Sequence, residues 1–136
     1  MTAPTTYTAF AAAIAALSVT GVSKQFTAPP ASLATADLPA SWPGLPRGED
    51  GGLTFQSAGG WPALFCDLVI AIEPVGQNTQ SANYTTTLTI MDNLSTALQA
   101  ATGLGRSKVS WSITANVQIQ VADVPYWAVI ATIEGR

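Results

Sequence analysis

The stretch WSITANVQIQVADVPYWAVIATIEG, residues 111–135, decides the fold of this chain. Apolar and polar side chains alternate over its first eleven residues, which is the period of two that a half-buried β-strand requires. The ADVP sequence at 122–125 predicts a turn, and residues 126–135 then run back as a final strand. The predicted apolar face holds Trp111, Ile113, Ala115, Val117, Ile119 and Val121, and the predicted polar face holds Ser112, Thr114, Asn116, Gln118 and Gln120.

A second long strand is predicted at residues 61–75, WPALFCDLVIAIEPV. Its apolar run, 63–72, is interrupted only by Asp67 and ends before Pro74. Such a run is typical of a strand that is buried on both faces, or on one face and in an interface. A shorter strand is predicted at residues 53–56, followed by a turn at 57–60.

Two helices are predicted from the spacing of apolar residues. The first covers roughly residues 5–19, with Tyr7, Phe10, Ile14 and Leu17 on one face and Gly21 as its stop. Residues 1–9 carry no Lys or Arg, so we interpret this segment as a helix of the domain and not as a secretion signal. The second helix follows a polar loop at 76–81 and places Tyr84, Leu88, Met91, Leu94, Leu98 and Ala101 on one face.

Residues 28–52 predict a long, proline-rich loop after the first helix, with five of the nine prolines of the chain. Proline fixes φ and removes a hydrogen-bond donor, which disfavours helix and central strand. The large apolar side chains of this loop would each be stabilised by about 1.5–3 kcal/mol on burial, so the loop is expected to cover a surface. That surface is either its own domain or a neighbouring subunit. The candidate interface residues are Leu38, Trp42, Leu45 and Arg47.

Together these elements predict one α+β domain over residues 1–136, in the order α-β-β-α-β-β. The predicted sheet has four strands and is mainly antiparallel, and both helices lie on one of its faces.

The charge composition argues against a nucleic-acid-binding protein. Five Lys and Arg residues are scattered along the chain, and the net charge is −3. Affinity for DNA or RNA comes largely from clustered basic side chains, which this sequence lacks. Charged residues make up only 10% of the chain, which indicates either a surface covered in an assembly or a Thr-rich surface of a monomer.

Catalytic chemistry is not expected, and neither a cofactor nor a metal is predicted. The chain has no His, the commonest general base and metal ligand. Its single cysteine, Cys66, lies in an apolar run and is interpreted as structural. Asp67 and Glu73 are six residues apart, about 20 Å along a strand on the same side, which favours surface charges over a catalytic pair.

Two further patterns leave alternatives open. The polar row that begins at Ser112 is either a solvent face or a face lining a shared channel or subunit contact. The aromatic residues are either core and interface anchors or the lining of a sugar site, and they are Trp42, Trp61, Trp111, Tyr126 and Trp127.

Three segments carry a family resemblance: YTAFAAAIAALSVTGV at 7–22, PPASLATADLPASWP at 29–43 and VADVPYWAVIATIEG at 121–135. In their residue pattern and in the order of the predicted elements, they resemble small neck and tail-completion proteins of long-tailed bacteriophages. The resemblance is greatest to the tail terminators. The resemblance spans nearly the whole chain but includes no diagnostic motif. It implies no catalytic residues.

The resemblance implies a structural virion protein that forms a hexameric ring, caps the tail tube and joins it to the head–neck connector protein. DNA would pass through the lumen without specific binding. The protein would be made in the host cytoplasm, would not enter a membrane, and would reside at the tail–neck joint. The alternatives are another neck protein, such as a head-closure or connector component, and a small-ligand or carbohydrate-binding module.

Overall fold

Two helices and six strands form within the residues that the computed structural model describes, 7–49, 63–75, 80–101 and 109–135. The predicted α+β class is confirmed. A 3-10 turn spans Thr35–Asp37, and the predicted elements at 53–60 lie outside the described residues. The elements are α1 (Tyr7–Ala15), β1 (Lys24–Gln25), β2 (Ala40–Pro43), β3 (Arg47–Glu49), β4 (Ala63–Pro74), α2 (Gln80–Ala100), β5 (Val109–Val121) and β6 (Val124–Gly135).

All six strands belong to one sheet in the order β1-β2-β4-β6-β5, with β3 also on β4. Only the β1–β2 pair is parallel. β3 pairs with residues 63–65 of β4 and β2 pairs with residues 68–71, so both lie along the same side of β4.

The prediction of four strands and of one continuous loop at 28–52 is wrong, because β2 and β3 form inside that segment. These strands are short and proline-flanked, so they have little local signal. They form by pairing with β4, and Pro43 ends β2 at a position where a missing donor is tolerated.

The β5–β6 hairpin is confirmed in the predicted place. Val121 pairs with Val124, and the two residues between them have positive φ, 52° at Ala122 and 66° at Asp123. Two consecutive positive φ values in a two-residue loop are characteristic of a type I′ turn, whose twist matches that of the flanking strands.

Both helices pack on one face of the sheet, as predicted; we call it the helix face. Residues paired across two strands project from the same face of a sheet. The side chains of β4 and β6 on the helix face therefore form one layer, and both helices pack against it. The largest fully buried side chains of this core are Phe10, Ile14, Leu64, Leu68, Ile70, Ile90, Leu94, Val129 and Ile133.

α1 buries two of the residues predicted to face the core, Phe10 and Ile14, but Tyr7 is 49% exposed. The helix ends at Ala15, well before Gly21. The amide of Leu17 donates to the carbonyl of Ile14 at 3.1 Å, a tight i to i−3 bond that closes the last turn.

α2 has nearly the predicted span, but its buried face is rotated. Ile90, Leu94 and Leu98 are buried, whereas Tyr84 is 64% exposed and Leu88 43% exposed. Two overlapping apolar stripes share the second half of this helix. Packing against the sheet buries the stripe that contains Ile90 and leaves the stripe that contains Tyr84 and Leu88 exposed. The local sequence does not show which of the two stripes will be buried.

A β-bulge in β5 breaks the single apolar face predicted for that strand. Before it, Trp111 lies opposite Ile133 on the helix face. After it, Val117 lies opposite Ala128 and Ile119 opposite Tyr126, on the outer face. One extra residue between Thr114 and Val117 reverses which face each later side chain occupies.

A second, smaller cluster covers part of the outer face. It is formed where residues of the segment 26–38 and of β2 pack against residues of β4, β5 and β6. Its members are Ala40, Trp42, Ala71, Val121 and Tyr126, with Phe26, Leu33, Leu38, Val69 and Ile119 packed against them.

Candidate assembly surfaces

The four candidate interface residues divide into two groups. Trp42 is only 5% exposed and, with Leu38, packs in the outer-face cluster of its own chain. For these two side chains the loop therefore covers its own domain, and a role for them in an interface stays a prediction. Leu45 is 87% exposed and Arg47 is also exposed, and their role in an interface stays a prediction.

Leu45 lies in the short connection between β2 and β3, at the side of the sheet opposite β5. The connection is held to β4 because the Gly44 amide donates to the Asp67 carbonyl at 2.7 Å. The connection that carries this large apolar side chain is thus fixed to β4, and the side chain itself is exposed to solvent. We call residues 45–49 the β3 edge.

Arg47 folds back over the sheet. Its guanidinium carbon lies 4.8 Å from the centroid of the Phe65 ring, its cross-strand partner on β4. This cation–π contact holds the charge over the outer face. Among the described residues the backbone of β3 pairs with β4 alone.

The opposite side of the sheet is β5, which pairs with β6 alone within the described ranges. β5 is 13 residues long and contains no charged residue and no proline. Edge strands of soluble proteins are usually kept from pairing with other chains by charges, proline or short length. Apart from its bulge, β5 has none of these protections. We call its unpaired side the β5 edge.

Two side chains near the start of β5 are only partly covered. Trp111 and Ile113 pack against the core of the helix face but remain half-buried. Their position on an edge strand leaves one flank without a neighbouring strand in the described chain. A strand added beside β5 would cover that flank.

The predicted polar row of β5 is divided by the same bulge. Ser112 and Thr114 are exposed on the outer face, where they lie opposite Thr132 and Ile130. Gln118 lies opposite Trp127, on the helix face. The row is therefore not the one continuous polar face that the alternation predicts. A solvent face and a face lining a channel or subunit contact both remain predictions for its outer-face part.

Cys66 is a core residue, as the sequence indicates. It is 1% exposed, and its thiol donates to the Gly44 carbonyl at 3.4 Å. Burial, reinforced by the neighbouring Asp67 carboxylate, raises the pKa of Cys66 to about 11. A thiol with this pKa is protonated at neutral pH, which is the opposite of an activated nucleophile.

Asp67 and Glu73 do not form a pair on one side of β4. Asp67 lies opposite Thr132 on the outer face. A second bulge, between Ala71 and Glu73, shifts the register, so Glu73 lies opposite Trp127 on the helix face. Among the described residues there is no group of three His, Cys, Asp or Glu that could hold a metal ion.

The aromatic residues are dispersed. Trp42 is buried in the outer-face cluster, and Trp111 and Trp127 lie near opposite ends of the β5–β6 hairpin. Their cross-strand rows are about 20 Å apart at the rise of a β-strand. Trp61 lies outside the described residues.

An open groove of about 600 Å³ runs between α1 and the segment 25–27. Small side chains of the helix, among them Ala11 and Ala15, line the groove together with Phe26 and Pro46. Neither helix in the described part of the chain is long and apolar enough to cross a membrane.

Comparison of the chain with known protein families and with curated protein sequences finds no match.

Proposed function

We propose that this chain is a structural subunit of a bacteriophage, a tail terminator that forms a hexameric ring, caps the tail tube and joins it to the head–neck connector. The two unlike edges of its sheet carry this proposal. A head-to-tail contact uses a different surface on each side of a subunit, and such contacts close into rings when the rotation between subunits allows it. The β5 edge and the β3 edge lie on opposite sides of one sheet and provide two such surfaces.

The arrangement of charge supports passage of DNA through such a ring. Two of the five basic side chains make cation–π contacts within the chain. Arg47 lies over the ring of Phe65, and Lys24 lies over the ring of Phe26 at 5.6 Å from its centroid. A protein that binds DNA tightly neutralises several phosphates at once. With a net charge of −3 on each copy, a ring would repel the DNA backbone weakly and let it slide.

The family resemblance supports the same proposal. Its first segment, 7–22, contains α1, its second segment, 29–43, forms the outer-face cover and β2, and its third, 121–135, supplies the hairpin turn and β6. The three segments thus contribute a helix, a strand and a hairpin to the same domain. A head-closure or connector protein would share these features and would differ in its position in the neck.

A carbohydrate-binding module is the weaker alternative. Sugar sites use exposed aromatic rings that act together, and here Trp42 is buried while Trp111 and Trp127 lie far apart. This dispersion favours a structural role for the aromatic residues.

Imaging of native phage particles by cryo-electron microscopy, with the subunits at the tail–neck joint counted, tests the proposal. A single sixfold ring of this chain on top of the tail tube is the expected result. A ring located at the head connector would assign the chain to the head-closure class. Particles that lack the chain at every joint would overturn the proposal.

A further inference from the structure

We infer that the open groove beside α1 receives helix α2 of a second copy of this chain. The groove and the exposed side of α2 are two unlike surfaces, so the contact between copies is head to tail. This deepens the proposed function, on which it rests for closure into a ring, by naming the surfaces that meet.

The groove has the size and lining of a site for a helix. Its lining residues carry no charge, and it follows α1 from Tyr7 to Ala16, about 14 Å at the rise of an α-helix. Small side chains along α1 let a second helix approach closely. Amphipathic helices bind in such grooves through apolar side chains spaced three or four residues apart.

Apolar and basic side chains surround the groove. At the Tyr7 end, the lining residue Pro46 lies between Leu45 and Arg47, the two exposed candidate interface residues. At the other end, the Gln25 amide donates to the Leu17 carbonyl just after α1.

Lys24 precedes Gln25, and its ammonium lies over the ring of Phe26, which lines the groove. Within the described residues Lys24 and Arg47 are the basic side chains, and each is next in sequence to a lining residue. The groove therefore favours a partner helix with apolar residues and a negative charge.

The exposed side of α2 has this chemistry. Tyr84, Leu88 and Asp92 are spaced four residues apart, which places them along one side of the helix; we call them the α2 stripe. All three are exposed, and Asp92 is the one charged residue of α2. The stripe is about 12 Å long, which matches the groove.

The α2 stripe and the groove face away from each other in one copy. The Asn93 side chain donates to the Thr20 carbonyl at 2.8 Å, so this flank of α2 faces the connection that follows α1. Tyr84, nine residues before Asn93, lies half a turn away around the helix.

The groove lies on the far side of α1, against residues 25–27 of the β1 side. α1 contacts β2 and β4, whereas α2 contacts β4, β5 and β6. A chain therefore presents the groove on one side and the stripe on the other, and a second copy placed beside it can join the two.

This pairing accounts for most of the exposed apolar surface. Among the described residues the exposed large apolar side chains are Tyr7, Leu45, Tyr84, Leu88 and Val124. The contact brings together the first four, and their burial is favourable. Asp92 also meets a basic side chain in either direction of docking, because Lys24 and Arg47 neighbour opposite ends of the groove.

A twofold pairing of α2 with α2 is the competing arrangement. It would cover Tyr84 and Leu88 but would leave Tyr7 and Leu45 in water on both copies. It would also give Asp92 no basic partner, since α2 contains no Lys or Arg.

Site-directed disulfide formation between two singly substituted proteins separates these arrangements. Ala12→Cys, in the groove, and Leu88→Cys proteins are mixed and oxidised, and disulfide-linked dimers are identified by mass spectrometry. The native Cys66 remains in both, because it is buried. A disulfide needs Cα atoms within about 7 Å, so linkage reports adjacency. Thr86→Cys, exposed on the other flank of α2, replaces Leu88→Cys in the matched control.

The expected result is a dimer linked between residues 12 and 88, at least tenfold more abundant than the dimer linked between 12 and 86. Linkage of 88 to 88 without linkage of 12 to 88 would establish the twofold arrangement and overturn the inference. Absence of linkage above the control, in a protein that stays monomeric at millimolar concentration, would overturn it as well.

A charge on the α2 stripe gives an independent measurement on the full chain. Leu88→Glu is expected to reduce the associated fraction in sedimentation velocity at least tenfold, because docking would bury a carboxylate in an apolar groove. Thr86→Glu adds the same charge on the other flank and is expected to leave association unchanged. Equal behaviour of the two variants would contradict the inference.

The outcomes for the contact and for the proposed function remain distinguishable. Linkage of 12 to 88 in closed sixfold rings supports both. The same linkage in open filaments or rings of another number keeps the helix contact and contradicts the hexameric ring. A sixfold ring in the particle without this linkage keeps the proposed function and overturns the helix contact.

Discussion

The ring of Tyr7 lies directly against the backbone of Gly48. A Cβ atom built on Gly48 would come within 3.0 Å of Tyr7 Cε1 and would collide with the hydroxyl oxygen. The first residue of α1 thus rests on β3, and glycine is required there for close approach. This contact ties the first helix to the sheet edge that carries Leu45.

Gly48→Ala is therefore expected to destabilise the fold by about 1 kcal/mol, the low end for overpacking, because the half-exposed Tyr7 can swing away. In a Tyr7→Ala background the same substitution should have almost no effect. Urea unfolding of the four proteins of this double-mutant cycle measures the coupling. Equal effects of Gly48→Ala in both backgrounds would show that the contact is unimportant.

Ala122 is the strained residue of the β5–β6 turn, with φ of 52°. An L-residue with a Cβ loses roughly 1–2 kcal/mol in the left-handed region, whereas glycine does not. Ala122→Gly is expected to raise the free energy of unfolding by about 1 kcal/mol. Ala12→Gly, at an exposed position inside α1, is the matched control and should lower it by about 1 kcal/mol. Thermal denaturation of both variants tests the opposite signs.

Trp42 now belongs to the core, so its substitution should affect folding. Trp42→Ala is expected to lower the free energy of unfolding by about 3–5 kcal/mol, the range for a large buried aromatic side chain. Leu45→Ala, three residues away and exposed, should change it by less than about 0.5 kcal/mol. Chemical denaturation followed by circular dichroism gives both values. A Trp42→Ala protein as stable as the parent would contradict the packing of the outer-face cluster.

Cys66 should make stability depend on alkaline pH. Its pKa is raised to about 11 in the folded chain, so folding disfavours the thiolate. The stabilisation that the protonated Cys66 thiol contributes to the folded chain is fully present below the ordinary thiol pKa. It is lost as the pH rises toward the pKa of Cys66 in the folded chain. Between pH 8 and pH 11 the parent should lose about 2 kcal/mol more than a Cys66→Ala variant. Parallel losses in the two proteins would show that the thiol does not titrate with folding.

Local patterns were sufficient for several elements. The sequence was sufficient to predict β4, the β5–β6 hairpin and the span of α2. In each case the spacing of apolar residues and the turn or proline residues that end the element lie within the element or directly beside it. Two of the four candidate interface residues, Leu45 and Arg47, are exposed, and their role in an interface stays a prediction. The β5 edge was missed, although its lack of charge was visible.

The sequence by itself determined the class of fold, the position of the longest elements and the absence of histidine chemistry, since composition and short-range periodicity suffice for these. Only the tertiary structure decided which apolar stripe of α2 is buried and which face of the sheet each residue of β5 occupies before and after the bulge. It also decided that Trp42 lies in the core while Leu45 lies on the surface. Register, bulges and sheet edges depend on pairing between residues distant in the chain. A shift of one residue there reverses a face without changing any local pattern.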